Sequence, residues 1–149
     1  MENIEKFDKL KTQVLKYVLY KKRSEAEVRQ KFLKNTGNML DNVIEYLKEN
    51  GYIDDNQYIQ KSVAEFIRLK NMSIKEVQYK LLSKGINKDL IDDYIYNNKE
   101  DLLEYEINSA KKIFLKKQNT LEKEEILDYL RKKGYMSETI KIIELEETE

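Results

Sequence analysis

The chain has no cysteine and no histidine among its 149 residues. Without cysteine there is no disulfide framework and no thiolate to act as nucleophile or ligand. Without histidine the commonest general base and the commonest metal ligand are both missing. Proline is absent as well, so nothing forces a helix to break. Glycine is scarce: Gly37, Gly51, Gly85 and Gly134 are the four, and each falls where a helical pattern ends. No apolar run approaches the ~20 residues of a membrane helix. No N-terminal stretch has the charged, apolar, small-residue order of a signal peptide, so a soluble cytoplasmic protein is expected. Gly-rich phosphate loops, HExxH and paired-cysteine sites are missing. The adjacent aspartates Asp54-Asp55 and Asp92-Asp93 read as a helix cap and a solvated helix face. No enzyme activity, cofactor or metal is expected.

What remains is rich in charge (38%) and hydrophobic residues (40%), the composition of exposed amphipathic helices, and an all-α fold follows. The chain is organised around one stretch, SIKEVQYKLLSKGI, from Ser73 to Ile86. Ser73 is a candidate N-cap, and Glu76 three residues on completes a capping box. Val77, Leu81 and Leu82 are expected on one face. Lys80 and Lys84 suit the negative end of the helix dipole. Gly85 offers the left-handed conformation that closes a helix, and Ile86 packs back on the last turn. On conformation alone, Gly85→Ala is expected to cost about 1 kcal/mol.

The stretch recurs. Forty-nine residues earlier, Ser24, Glu27, Val28, Lys31 and Phe32 match Ser73, Glu76, Val77, Lys80 and Leu81. Forty-nine residues later, Glu125, Ile126, Leu130 and Gly134 take the places of Glu76, Val77, Leu81 and Gly85. The expected architecture is a tandem array of three helix-turn-helix-like units of three helices each. Repeat 1 is placed at 11–53, repeat 2 at 54–98 and repeat 3, with an acidic tail, at 99–149. Residues 1–10 form an N-terminal extension that frays or lengthens the first helix. In the first unit the apolar positions Val14, Leu15, Val18 and Leu19, then Leu40, Val43, Ile44 and Leu47, mark the flanking helices. The third unit opens with Leu103, Ile107, Ala110 and Phe114.

The formal net charge of zero conceals a pattern. From Lys11 to Lys34 eight basic residues stand against Glu25 and Glu27, and from Lys61 to Lys88 seven stand against Glu65 and Glu76. From Asp89 to Glu106 the sign reverses, with seven acids against Lys99. Dipole complementarity and solvated faces account for much of this; the functional reading is a basic stripe repeated from unit to unit. Tyr17, Tyr46, Tyr79, Tyr94 and Tyr129 sit beside apolar residues, as core or groove-lining side chains rather than base-stacking platforms.

Three segments together resemble the RecX family of bacterial regulators of the RecA recombinase. They are Arg23-Ser24-x-x-Glu27-Val28, Gly51-Tyr52-Ile53-Asp54-Asp55-x-x-Tyr58 and Ile74-x-x-x-Gln78-x-x-Leu81-x-x-Lys84-Gly85-Ile86. Their order and spacing, more than any one of them, carry the likeness. It implies an elongated, curved array in a short member of the family. It also implies a monomer that binds the RecA filament on single-stranded DNA and restrains recombinase and coprotease activity in DNA repair and the SOS response. Where the family often has a glycine-proline turn, this chain has Asn71-Met72-Ser73. Lys21, Lys22 and Arg23, with Arg68, Lys70, Lys75 and Lys84, are the residues expected to engage such a filament, the DNA being reached through RecA. A helix-turn-helix reader of nucleic acid is the alternative, opposed by the acidic third helices, which repel phosphates; a generic helical scaffold is another.

Overall fold

In the computed structural model, residues 2–34, 37–69 and 71–146 are described, and they form helices joined by short turns. The helices are α1 (Glu2–Tyr20), α2 (Glu25–Lys31), α3 (Asn38–Glu49), α4 (Asp55–Leu69), α5 (Ile74–Ser83), α6 (Lys88–Asn97), α7 (Lys99–Lys117), α8 (Lys123–Lys133) and α9 (Ser137–Glu146). No strand occurs among the described residues. Local sequence sets the boundaries. Ser24 and Ser73 each accept the amide of a glutamate three residues on, and that glutamate returns a bond to the serine amide, closing the capping box at α2 and α5. Glu125 likewise bonds back to the Glu122 amide at α8. Asn87 caps α6 by accepting the Asp89 amide.

The helices bury three apolar clusters in chain order. Val14, Val28, Val43, Ile44 and Leu47 centre the first, among α1, α2 and α3. Ile59, Val63, Val77, Leu81 and Ile91 centre the second, among α4, α5 and α6, with Leu102 reaching in from α7. Ala110, Phe114, Ile126, Leu127, Leu130 and Ile143 centre the third, among α7, α8 and α9. Val28, Val77 and Ile126, the three residues in 49-residue register, are all buried.

Neighbouring groups meet at two joints, and the middle helices α2, α5 and α8 make them. The capping serine of one middle helix reaches the end of the next. Ser24 Oγ donates to the Lys84 carbonyl at 2.7 Å, and Ser73 Oγ donates to the Lys133 carbonyl at 2.8 Å. Gly85 and Gly134 follow those carbonyls with φ of +78° and +97°. Both bring backbone against the preceding group: a Cβ on Gly85 would collide with the Ala26 side chain, and one on Gly134 would meet the Lys75 Cβ at 3.1 Å.

At each joint a carboxylate from the following group's first helix accepts the first amide of the middle helix. Asp55 Oδ1 accepts the Glu25 amide at 2.9 Å, and Glu106 Oε2 accepts the Ile74 amide at 2.8 Å. Glu106 is fully buried, and its other oxygen accepts the Met136 amide and the Thr139 hydroxyl at 2.8 and 2.7 Å. The turn at Asn71-Met72-Ser73 is held from the third group. Tyr105 donates its hydroxyl to the Met72 carbonyl at 2.7 Å, Lys133 Nζ binds the Asn71 carbonyl at 2.7 Å, and Lys112 Nζ binds that of Leu69 at 3.1 Å.

Several expectations are corrected. Helix α1 begins at Glu2, and Leu10 is buried, so of the fraying and the lengthening that the sequence allowed, the described N-terminal residues take the second. Leu82 is 42% exposed, because one residue beyond Leu81 turns the side chain about 100° away. Leu19 is exposed for the same reason of phase. On α7 the buried stripe is Leu102, Tyr105, Glu106, Ser109, Ala110 and Phe114, with Leu103 and Ile107 only half-buried. That helix serves two clusters and a polar joint, so its inner face is not its most apolar one. The sequence lets α2 run to about Leu33, with Asn35-Thr36-Gly37 as the turn after it; the helix stops at Lys31. Asn35 and Thr36 lie outside the described residues, as does Lys70.

The Ala26 contact raises the expected cost of Gly85→Ala from about 1 kcal/mol to about 2–4 kcal/mol, since overpacking adds to backbone strain. Urea unfolding checks this, and Ala26→Gly in the same chain should recover the steric part. Glu106→Ala leaves two amides and a hydroxyl without their acceptor, and is expected to cost about 3 kcal/mol on the same measurement.

Candidate functional site at the joints

The linker Lys21-Lys22-Arg23 between α1 and α2 is where basic residues and the first joint coincide. Arg23 lies over the Tyr17 ring, its guanidinium carbon 4.0 Å from the ring centroid, with Nε donating to the Tyr17 carbonyl at 3.5 Å. This stacking half-buries it and suits a planar, weakly hydrated cation. Lys22 crosses the joint and donates to Gln57 Oε1 at 2.6 Å. Lys21 is exposed.

Below the linker, Glu27 faces Tyr58 of α4. Burial, then the Glu27 charge and its hydrogen bond, push the Tyr58 hydroxyl up to about 12, so it stays a protonated donor to that carboxylate. The motif residues Arg23, Ser24, Glu27 and Tyr58 are therefore parts of the joint itself.

The remaining candidates divide. Lys84 is exposed at the first joint, where it lines a groove of about 510 Å³ together with Tyr17, Ala26, Gln30 and Lys31. Lys75 is exposed beside Gly134 at the second joint. Arg68 is exposed near the end of α4, 4.0 Å from Glu65 on the same helix. The six described candidates thus form no single cluster: Lys22, Arg23 and Lys84 belong to the first joint and Lys75 to the second.

Sequence reasoning missed the lysines that the grooves select. Lys31 lines the first groove with its ammonium 5.8 Å from the Tyr17 ring centroid. Lys80 and Lys133, with Tyr79, line the corresponding groove of about 420 Å³ at the second joint. The signal was present, since Lys31 and Lys80 are in repeat register; what was lacking was the knowledge that their face stays open. Each groove is lined by two lysines and one glutamate, Lys31, Lys84 and Glu27 at the first joint and Lys80, Lys133 and Glu76 at the second, and they differ in how the lysines are paired. Lys133 is held by Glu76 at 3.3 Å and by the Asn71 carbonyl. At Lys84 and Lys31 no carboxylate partner is found among the described residues.

A second opening at the first joint, of about 640 Å³, is lined by Glu25, Arg29, Lys48 and Asp55. Glu25 binds Arg29 Nε at 3.1 Å and Lys48 Nζ at 3.0 Å, and Arg29 also binds Asp41 at 2.6 Å. Burial pushes the Glu25 carboxyl up, but the bonds from Lys48 and Arg29 outweigh it and leave it below its ordinary value. Asp55 is pushed up, chiefly by burial. Among the described residues no three potential metal ligands converge, and no helix is long and apolar enough to cross a membrane.

A lowered carboxylate pKa stabilises the fold above the unfolded value and loses that contribution as pH falls through the folded one. Glu25→Gln is expected to be less stable than the parent at neutral pH by about 0.5–1 kcal/mol. In urea unfolding at a series of pH values, the gap should close below the ordinary 4.5.

No family model matches the chain. Among curated proteins it is similar to the regulatory protein RecX of Finegoldia magna, 30% identical over 149 residues, covering 95% of this chain and 73% of that one. It is also similar to that of Clostridium beijerinckii, 32% identical over 146 residues, covering 90% of this chain and 66% of that one. The RecX of Staphylococcus carnosus is 29% identical over 148 residues that cover 94% of this chain. The chain spans about half the length of the staphylococcal relatives, 55% in that case. The fold matches a crystal structure of RecX from Lactobacillus salivarius with a TM-score of 0.81 at 20% identity, covering 96% and 97% of the two chains. A second RecX crystal structure matches with a TM-score of 0.79 at 23% identity, covering 93% of this chain and 72% of the other.

Proposed function

This chain belongs to the RecX family, and from that premise we propose that it is a regulator that binds the RecA filament on single-stranded DNA and restrains recombinase and coprotease activity. It acts by binding, without a catalytic step or a cofactor, in the cytoplasm and as a monomer. The array is divided into units near 11–53, 54–98 and 99–149, with residues 1–10 as an N-terminal extension. The observation that carries the reading is the repeated joint. Ser24 with Lys84 and Ser73 with Lys133 set successive units in one relative register. A stack in constant register presents like surfaces at regular intervals, which suits a partner that is itself a repeating polymer. Its contacts are drawn from Lys21, Lys22, Arg23, Arg68, Lys70, Lys75 and Lys84.

RecA-promoted strand exchange tests this. The parent chain is expected to slow it, and the variant reversing Lys21, Arg68, Lys75 and Lys84 to glutamate is expected to slow it less, with a flatter salt dependence and unchanged helix content by circular dichroism. Those four are exposed, so their reversal leaves the joints whole. A parent without effect on RecA overturns the reading; a reversed variant as effective as the parent overturns the residue assignment.

A further inference from the structure

The two joints repeat in geometry, but the lysine that precedes the closing glycine is paired at only one of them. At the second, Lys133 is bound by Glu76 and by the Asn71 carbonyl. At the first, the equivalent Lys84 and its neighbour Lys31 stand on either side of a groove with no carboxylate partner found among the described residues. The floor between them is Ala26, Gly85 and the Tyr17 ring, which is mostly apolar, and Gln30 adds a carboxamide. Glu27 also lines the groove, but its carboxylate is already held by the Ser24 amide and the Tyr58 hydroxyl, so the two ammonium groups outnumber it. This groove exists only because Gly85 lets α5 approach Ala26 so closely.

We infer that the groove between Lys31 and Lys84 is a docking site for a short acidic peptide segment of a protein partner, one that sets an apolar side chain on the Tyr17–Ala26 floor and carboxylates against the two ammonium groups. Charge complementarity selects an acidic occupant. The apolar floor selects one that also carries hydrocarbon, and Gln30 offers a donor and an acceptor to a peptide main chain. A nucleic-acid strand fits less well. A polyanion gains by neutralising a continuous row of phosphates, and here the row is interrupted one unit later, where Lys133 is already engaged. The inference rests on the reading of this chain as a protein-binding regulator, and it names a partner chemistry and a place that the reading does not.

The test uses the full chain, labelled with ¹⁵N, and two probes: a glutamate-rich synthetic peptide carrying leucine, and an oligothymidylate of matched charge. The peptide is expected to shift the amide resonances of Ala26, Gln30 and Gly85. Fluorescence anisotropy with the same labelled peptide should lose about tenfold in affinity when Lys31 and Lys84 are both reversed to glutamate. The matched control reverses Lys9 and Lys61, both exposed and outside the groove, and should bind as the parent does. Neither lysine side chain is in a buried cluster, and Ser24 binds the backbone of residue 84, so the double variant keeps the joint. Unchanged affinity in that variant, peptide shifts elsewhere or no binding overturns the inference. Preferential binding of the oligothymidylate at the same amides overturns it in favour of nucleic acid. A chain that restrains RecA but takes no peptide fails this inference alone; one that takes the peptide but leaves RecA unaffected fails the family reading alone.

Discussion

A single hydroxyl proton at each joint is what the stacking depends on. A serine hydroxyl has one donor and two lone pairs. Ser24 and Ser73 use a lone pair to cap their own helix and the proton to hold the last carbonyls of the next middle helix. The bond sets the positive end of one helix dipole against the negative end of another, where the two attract. Alanine would lose both halves of the arrangement at once. The glycine after the carbonyl is the other half of the constraint, because its left-handed conformation ends the helix where a side chain would hold the groups apart.

The two joints share this device and diverge around it. At the second, Glu106 binds two amides and the Thr139 hydroxyl, and beside it Tyr105, Ser109 and Tyr135 form a buried polar network at the Met72 carbonyl, with Ser109 Oγ 2.6 Å from the Tyr135 hydroxyl. Every member has a partner, which is the condition under which a buried network orders a structure rather than weakening it. At the first, Asp55 takes the place of Glu106 from the helix edge, Glu25 is tied to two cations, and grooves open on the surface. The carboxylate at the second joint is fully buried, and those at the first are only partly so.

The candidate site was only partly legible. Arg23 and Lys22 read as free cations because a run of basic residues beside a turn carries no sign of what lies opposite. The stacking on Tyr17 and the bond to Gln57 depend on helices placed by the fold. Glu106 read as one acid among seven, although it is the buried carboxylate that joins α5, α7 and α9. Lys31 and Lys80 were visible as repeated positions, but not as the walls of grooves.

The sequence by itself determined the local order: the capping boxes at Ser24 and Ser73, the glycine stop at Gly85, the all-helical class and the register of Val28, Val77 and Ile126. Each depends on neighbours within a few residues, or on a comparison of the chain with itself. The tertiary structure alone decided which face of α7 is inside, that Gly85 packs on Ala26, and which lysines stay unpaired. Those outcomes depend on groups about sixty residues apart in the chain, as Ser24 is from Lys84 and Ser73 from Lys133. Hydrogen bonds and packing at such separations come from the stacking of whole helices, and no periodicity in one helix encodes what will be laid against it.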